Sequence, residues 1–329
     1  MPRPFPSRVG LAIALVPMLL AVTPTMPVQA QDFTTKPVRI IVTGPGGSSD
    51  TLARVLATEM KDVWKHPIIV ENKSGVGGLL PTLAVKTALP DGHTILINTS
   101  AFIVSAETVH APQYNAVADF VPIAMLGKGP LLLVARADLP ENTLLQVVAK
   151  ARQTPDAYTY GSTGLGGITH LSAELFLQEA RIKARHIPFK SGSQAITGLA
   201  GGQVDLYLGS ISLSLPLVKS GRLKALAITS PQRSRFMPEV PAAAESGLPP
   251  GFSLELWWGM FAPAKTPPAI VEEINRQVNK VLSKPAVREI FDREGVDAAP
   301  MPVDQFTSYI KAEQARWKKV VDDSSFEKQ

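Results

Sequence analysis

The sequence predicts an α/β protein with parallel sheets, long enough for two domains of ordinary size. Three observations carry this reading. Short β-rich runs alternate with helical runs along most of the chain. Glycine-rich turns repeatedly join a strand to a helix. The composition is 45% apolar with no low-complexity linker, which supplies cores rather than disorder.

The elements follow in order. Val38-Arg39-Ile40-Ile41-Val42 reads as the first strand, then a glycine-rich turn, then a helix over residues 51–63. Ile68-Ile69-Val70 is the second strand, followed by Gly75-Val76-Gly77-Gly78 and a helix through Lys86. Thr94-Ile95-Leu96-Ile97 is the third strand, and residues 131–135 begin a further series. A helix over 144–152, the strand Tyr158-Thr159-Tyr160 and a helix over about 169–179 come next. Shorter alternations run through Leu206-Tyr207-Leu208 and Leu226-Ala227-Ile228. The C-terminal part reads as helical. Val271, Ile274, Val278, Val281 and Leu282 form one apolar stripe. Asp304, a good N-cap type, enters a last helix carrying Phe306, Ile310, Trp317, Val320 and Val321. Both stripes need a surface to dock on, and a return to the first domain is expected.

The N-terminus predicts a signal peptide. Arg3 and Arg8 precede an apolar run from Val9 to Val22, broken by Pro17, and Val28-Gln29-Ala30 has the small-x-small form. A Sec leader over residues 1–30, cleaved after Ala30, would export the chain to the periplasm. A bilayer span needs about 20 apolar residues, more than this run offers. An Arg-Arg pair for the twin-arginine route is missing. With no cysteine in the sequence, disulfides, thiolate metal sites and a cysteine nucleophile are excluded.

The leader holds two of the 33 basic residues and none of the 28 acidic ones, so the rest of the chain balances at +3. The charges are dispersed. The densest basic stretch, Arg316, Lys318 and Lys319, is followed by Asp322 and Asp323, which reads as a solvated helix end rather than a nucleic-acid face. A mild positive balance suits a small anion.

Three loops are candidate binding elements: Gly44-Pro45-Gly46-Gly47-Ser48-Ser49-Asp50, Gly161-Ser162-Thr163-Gly164-Leu165-Gly166-Gly167, and Lys190-Ser191-Gly192-Ser193. Each puts small residues and free N–H groups at a helix start, where a partial positive charge favours carboxylate or phosphate. Such loops sit at the carboxyl ends of parallel strands, the ligand side of α/β sheets. Taken singly, each loop is equally well a turn and cap. Asp50 reads as an N-cap before it reads as a ligand contact, and Asp205 as a structural acceptor at a strand start. Lys190 could pair with an anion. On the alternating stretch at Trp257 and Trp258, one indole should face a core and the other a cleft or solvent. His66, His93, His110, His170 and His186 show no metal spacing, and no cofactor is expected.

Enzyme motifs fail in turn. Gly164-Leu165-Gly166 meets Thr169 where a dinucleotide fingerprint needs glycine, and Ser162 lacks the nucleophile-elbow pattern. Neither a P-loop nor H-E-x-x-H occurs.

Ordered blocks carry a family resemblance across residues 35–323. They are Lys36-Pro37-Val38-Arg39-Ile40-Ile41-Val42, Pro45-Gly46-Gly47-Ser48-Ser49-Asp50 and Val70-Glu71-Asn72-Lys73-Ser74-Gly75-Val76-Gly77-Gly78. Pro90-Asp91-Gly92-His93-Thr94, Tyr160-Gly161-Ser162-Thr163-Gly164, Gly201-Gly202-Gln203-Val204-Asp205 and Phe261-Ala262-Pro263-Ala264-Lys265-Thr266-Pro267 continue the series. In them the chain resembles the Bug-type substrate-binding proteins of tripartite tricarboxylate transporters. The resemblance implies a class II periplasmic-binding-protein fold, with two doubly wound α/β lobes, a hinge and a ligand cleft. Residues 31–129 and 256–329 would form lobe 1, and 130–255 lobe 2, with crossings near 127–131 and 254–259. It implies a small carboxylate ligand (di- or tricarboxylate, aromatic carboxylate or amino acid) and the transporter's membrane components as partners; a monomer is expected.

The resemblance also adds Asn98, Thr99 and Ser100 to the cleft. Gly46, Gly47 and Ser48 match the position where the family holds a carboxylate on backbone groups. The expected ligand set is thus Gly46 to Asp50, Asn98 to Ser100, Gly161 to Gly164, Lys190 to Gly192, and Asp205. Two departures stand out. Val42-Thr43-Gly44-Pro45-Gly46 is shorter than the family's first loop and has no aromatic, and Ser191 precedes Gly192 where glycine is expected first. A transport receptor is the main expectation. A receptor feeding a sensor kinase and an exported enzyme are the alternatives.

Overall fold

In a computed structural model describing residues 1, 35–73, 78–323 and 328, three parallel strands open the described chain. The leader and the Gly75-Val76-Gly77 turn lie outside the described residues. Strand β1 (Val38–Val42) lies between β2 (Ile68–Asn72) and β3 (Thr94–Thr99). Its Val38, Ile40, Ile41 and Val42 are fully buried, as expected for a β-branched strand covered on both faces. Helices α1 (Ser48–Trp64), α2 (Leu79–Lys86) and α3 (Ala101–Glu107) follow β1, β2 and β3 respectively. The two signals read most directly from sequence, apolar strands and the helix after the first glycine turn, are thus found nearly where expected. Helix α1 starts three residues earlier than the apolar periodicity alone suggests, because Ser48, Ser49 and Asp50 make its first turn.

The connection onward departs from an all-parallel sheet. Strand β4 (Phe120–Arg136) is 17 residues long and changes partners midway. Residues 120–130 pair antiparallel with β9 (Glu255–Pro263), itself antiparallel to β3. Residues 131–136 pair antiparallel with β7 (Leu206–Ser210) and β8 (Leu223–Ile228). A second parallel group then builds on β7, with β5 (Thr159–Ser162) between it and β6 (Arg185–Pro188). The first half of β4 is illegible in sequence because Pro122, Gly127, Gly129 and Pro130 look like breakers. The glycines are required there. A Cβ on Gly127 would lie 2.5 Å from the Val296 side chain, and one on Gly129 would lie 2.3 Å from the Gly295 carbonyl, where the short β10 (Asp297–Ala298) crosses.

Helices α4 (Leu144–Gln153), α5 (Ile168–Ala180), α6 (Gly192–Ala200) and α7 (Ile211–Lys219) pack around the second group. A capping box starts α4: Gln146 N–H donates to Thr143 Oγ1 at 3.3 Å, and Gln146 Oε1 accepts from Thr143 N–H. The C-terminal helices α8 (Pro268–Leu282), α9 (Pro285–Arg293) and α10 (Val303–Asp323) return to the first group. Helix α8 buries its Val271, Ile274, Val278, Val281 and Leu282 stripe on α1 and β4; each such side chain is worth about 1.5–3 kcal/mol on burial. Helix α10 packs on α3 and β4. There the buried Glu313 carboxylate accepts from the indole N–H of Trp257 at 3.0 Å and of Trp317 at 3.2 Å.

Two readings are corrected here. Asp304 is not the N-cap of α10; it is the second residue of the helix, after Pro302, and its carboxylate accepts from Gln305 N–H at 2.8 Å. Strand β6 and helices α3, α7 and α9 are absent from the sequence reading. Helix α3 is short and α7 contains Pro216, so neither shows a full helical stripe. Where β4 and β9 pass between the two groups, Thr229 ties them. Its hydroxyl accepts from Leu131 N–H at 2.8 Å and donates to Leu254 O at 2.6 Å.

Candidate ligand-binding cleft

The carboxyl ends of both parallel groups face one another across a cleft of about 470 Å³. Five helices begin on it: α1 at Gly47–Ser49, α3 at Ala101, α5 at Ile168–Thr169, α6 at Ser191–Ser193 and α7 at Ser210. The first-turn N–H groups of a helix have no partner within it. The caps of α1, α5 and α7 (Gly47, Gly167 and Ser210) supply no side-chain hydrogen bond to them. Positive helix ends and unclaimed donors therefore converge on one space. Lys190 is the only charged residue among the described residues that line it. Trp258, Leu256, Leu213 and Tyr207 give the cleft an apolar side. Trp258 faces the cleft while Trp257 is fully buried against Glu313, the division expected of alternating strand positions.

The structure gathers Gly47, Ser48, Ser49, Asn98, Thr99, Thr163, Lys190, Ser191 and Gly192 around this cleft. The other expected residues do not line it. Asp50 stands in the first turn of α1, and Gly47 is the N-cap, so the capping role read for Asp50 is replaced by a brace. Its carboxylate accepts from Gly46 N–H at 3.2 Å, Arg54 Nε at 3.0 Å and Asn72 Nδ2 at 3.0 Å. Burial pushes its pKa up, but the bonds from Asn72, Arg54 and Gly46 outweigh this and hold it below the ordinary value. Gly46 itself, at φ +75°, makes the left-handed turn that this brace closes. Asp205 lies at the opposite end of β7 from the cleft. It accepts from Arg136 Nε at 2.8 Å and from Thr159 N–H at 2.8 Å, and so fixes the strand start, the structural acceptor role. Ser100 and Gly161 are buried behind the cleft wall.

Ser162 is also fully buried. Its hydroxyl lies 2.6 Å from His186 Nε2 and accepts from Gly164 N–H at 3.1 Å. The His186 and His170 rings stack at 3.9 Å, and Gly166 N–H donates to His170 Nδ1 at 3.1 Å. Burial lowers both histidines to about pKa 4. The adjacent Tyr160 hydroxyl bonds Glu174. Thus Ser162 and Gly164 shape the second loop from inside, while Thr163 faces the cleft with its N–H and hydroxyl tied to Thr169 Oγ1 at 2.8 and 2.9 Å. A serine within reach of a histidine has the geometry of a nucleophile and base, but this oxygen has no exposed surface for a substrate to meet. Sequence reasoning missed Thr169, Ser210 and Leu213 as wall residues and left open which of Trp257 and Trp258 faces the cleft. The alternation at that pair was the available signal for its division.

The family model described as tripartite tricarboxylate transporter family receptor matches residues 52–326. The chain belongs to that family. BugT of Bordetella pertussis is 34% identical over 298 residues, 90% of this chain and 91% of its own. Among solved structures, the periplasmic binding protein BugD superposes with a TM-score of 0.81 at 28% identity, over 90% of this chain and 99% of its own. MatC from Rhodopseudomonas palustris, with bound malate, gives 0.80 at 30% identity, over 87% and 99%. An R. palustris protein with adipate gives 0.82 at 28%, over 88% and 97%. This tricarboxylate-transporter receptor therefore has the periplasmic-binding-protein fold, with a mixed sheet, and its relatives are solute receptors rather than enzymes.

Proposed function

We propose that the chain is a periplasmic, non-catalytic receptor that closes around a small carboxylate and delivers it to the membrane components of a tripartite tricarboxylate-type transporter. The observation that carries this is the convergence of five helix starts on a cleft whose only charged lining residue, among those described, is Lys190. A carboxylate meets several donors there and no acidic side chain; a cation or amine meets the wrong field. Malate in MatC and adipate in a second relative fit the same chemistry. Residues 31–129 with 256–329 act as one lobe and 130–255 as the other. They turn about the β4 and β9 crossings, because a ligand touching both walls binds the closed arrangement better. Ser48 Oγ lies 3.0 Å from Ser212 Oγ, one from each segment, so the walls already touch in this arrangement. The leader over residues 1–30 is removed after Ala30, and the receptor works as a monomer.

A thermal-shift panel of mono-, di- and tricarboxylates, matched primary amides, sugars and amines tests the reading. An acid held at 100 times its dissociation constant should add about 2.7 kcal/mol of stability, while its amide adds little. Stabilisation by sugars or amines alone would contradict it.

A further inference from the structure

A second cavity, of about 340 Å³, lies on the other side of the second loop. That volume is within the range of small-molecule sites, roughly 300–1,000 Å³. Its walls interlock with those of the cleft. Thr163 lines both spaces. Gly78 and Ile168 line the cleft, and their chain neighbours Leu79 and Gly167 line the cavity. The two spaces therefore adjoin at Thr163.

The chemistry of the two spaces differs. The cavity has a buried inner end at Ala106, Tyr114 and Gly167, and an apolar side formed by Leu79, Val109 and Leu165. No acidic side chain and no lysine or arginine lines it among the described residues. Its mouth, at residues 110–113, is exposed to solvent. Leu165, at the rim, is 49% exposed although apolar. Such a wall gains from an apolar occupant and offers little to a second carboxylate.

We infer that this cavity is an annex of the carboxylate site that takes the apolar extension of the ligand. The preferred ligand is then an acid with its carboxylate at the helix starts and a hydrocarbon body passing Thr163. This rests on the carboxylate reading of the cleft. It adds Val109 and Leu165 as residues that set ligand length.

The test is a calorimetric titration of the full chain with butyrate, hexanoate and octanoate, for the wild type and for Val109→Phe and Val109→Trp, which fill the annex to two extents. Burying one methylene strengthens binding about fourfold. Affinity should rise by about that factor per methylene from butyrate to octanoate in the wild type. Folded filling variants should keep the butyrate affinity and lose the gain with length. The wild-type series needs no variant to fold. Binding of butyrate with no gain toward octanoate would overturn the annex and leave the carboxylate reading standing. So would filling variants that weaken butyrate and octanoate equally. Failure of every acid, in this series and in the wider panel, would overturn both.

Discussion

The two walls of the cleft are held in place from opposite sides. The first loop, Gly46 to Ser49, is braced from its outer side by Asp50, Arg54 and Asn72. The second, Ser162 to Gly167, is braced from inside by stacked His170 and His186. The braces leave Gly47, Ser48 and Ser49 of the first loop and Thr163 of the second facing the cleft. The difference lies in what each brace responds to. A polar network near the surface tolerates water as a substitute partner, whereas a buried one is costly to leave unsatisfied. Substitutions of the first loop's cleft-facing residues should therefore act on binding, whereas loss of a buried brace group, Asp50 included, should also cost stability.

The largest effect should come from Gly47→Asp. A Cβ at Gly47 meets nothing within 4 Å, and its φ of −100° suits any residue, so the fold should be kept. The new carboxylate would occupy the anion position at the α1 start. Carboxylate affinity should fall at least about 100-fold by calorimetry, or about 2.7 kcal/mol, with an unchanged melting temperature. A folded variant that binds normally would move the anion site away from the first wall.

Asp50→Ala should come next. It removes acceptors from Gly46 N–H, Arg54 and Asn72, leaving the loop turn unsupported. We expect a loss of about 1–3 kcal/mol of stability by denaturant titration, with weakened binding. Equal stability would show that water replaces the brace completely.

Acid should then separate the walls. His170 and His186 have folded pKa values near 4, below the ordinary 6.5. Between those values the unfolded chain takes up protons that the folded chain refuses. The stability they contribute is thus complete above about pH 6.5 and is lost as pH falls toward 4. Tyr160, Glu174 and Ser162 are the other polar groups around the pair. The melting temperature should drop through this window, and His186→Gln should flatten the drop. A flat profile in the wild type would mean the pair is not buried neutral.

Ser162→Ala should be the mildest change. It removes a hydroxyl that bonds His186 and Gly164 rather than lining the cleft. A stability loss of about 0.5–1.5 kcal/mol is expected, with carboxylate affinity changed by less than about threefold. A larger loss of affinity with normal stability would place that hydroxyl on the ligand.

The same contrast explains what was legible in the sequence. Strands β1 and β3, helices α5 and α8 and the three glycine loops announce themselves through local apolar periodicity and turn residues, and those loops do meet at one cleft. What was hidden depends on long-range partners. Gly127 and Gly129 look like strand breakers until the C-terminal segment is seen crossing them. In sequence Ser162 reads as a ligand residue, while Asp50 reads first as a cap and Asp205 first as a structural acceptor, because polar residues in glycine loops serve braces and ligands alike. Only their partners, His186, Asn72 and Arg136, distinguish the two roles. Trp258 and Thr169 joined the cleft through strand and helix phase, which a single sequence fixes only to within a residue or two.

Whether backbone groups at helix starts hold the ligand's carboxylate is decided by a crystal structure of the protein with a stabilising acid. In that structure carboxylate oxygens should lie within roughly 2.7–3.2 Å of N–H groups in the first turn of α1, at Ser48 or Ser49, with Trp258 alongside. A ligand bound outside the cleft, or seated in it with its carboxylate turned to solvent and no helix-start N–H in reach, would contradict it.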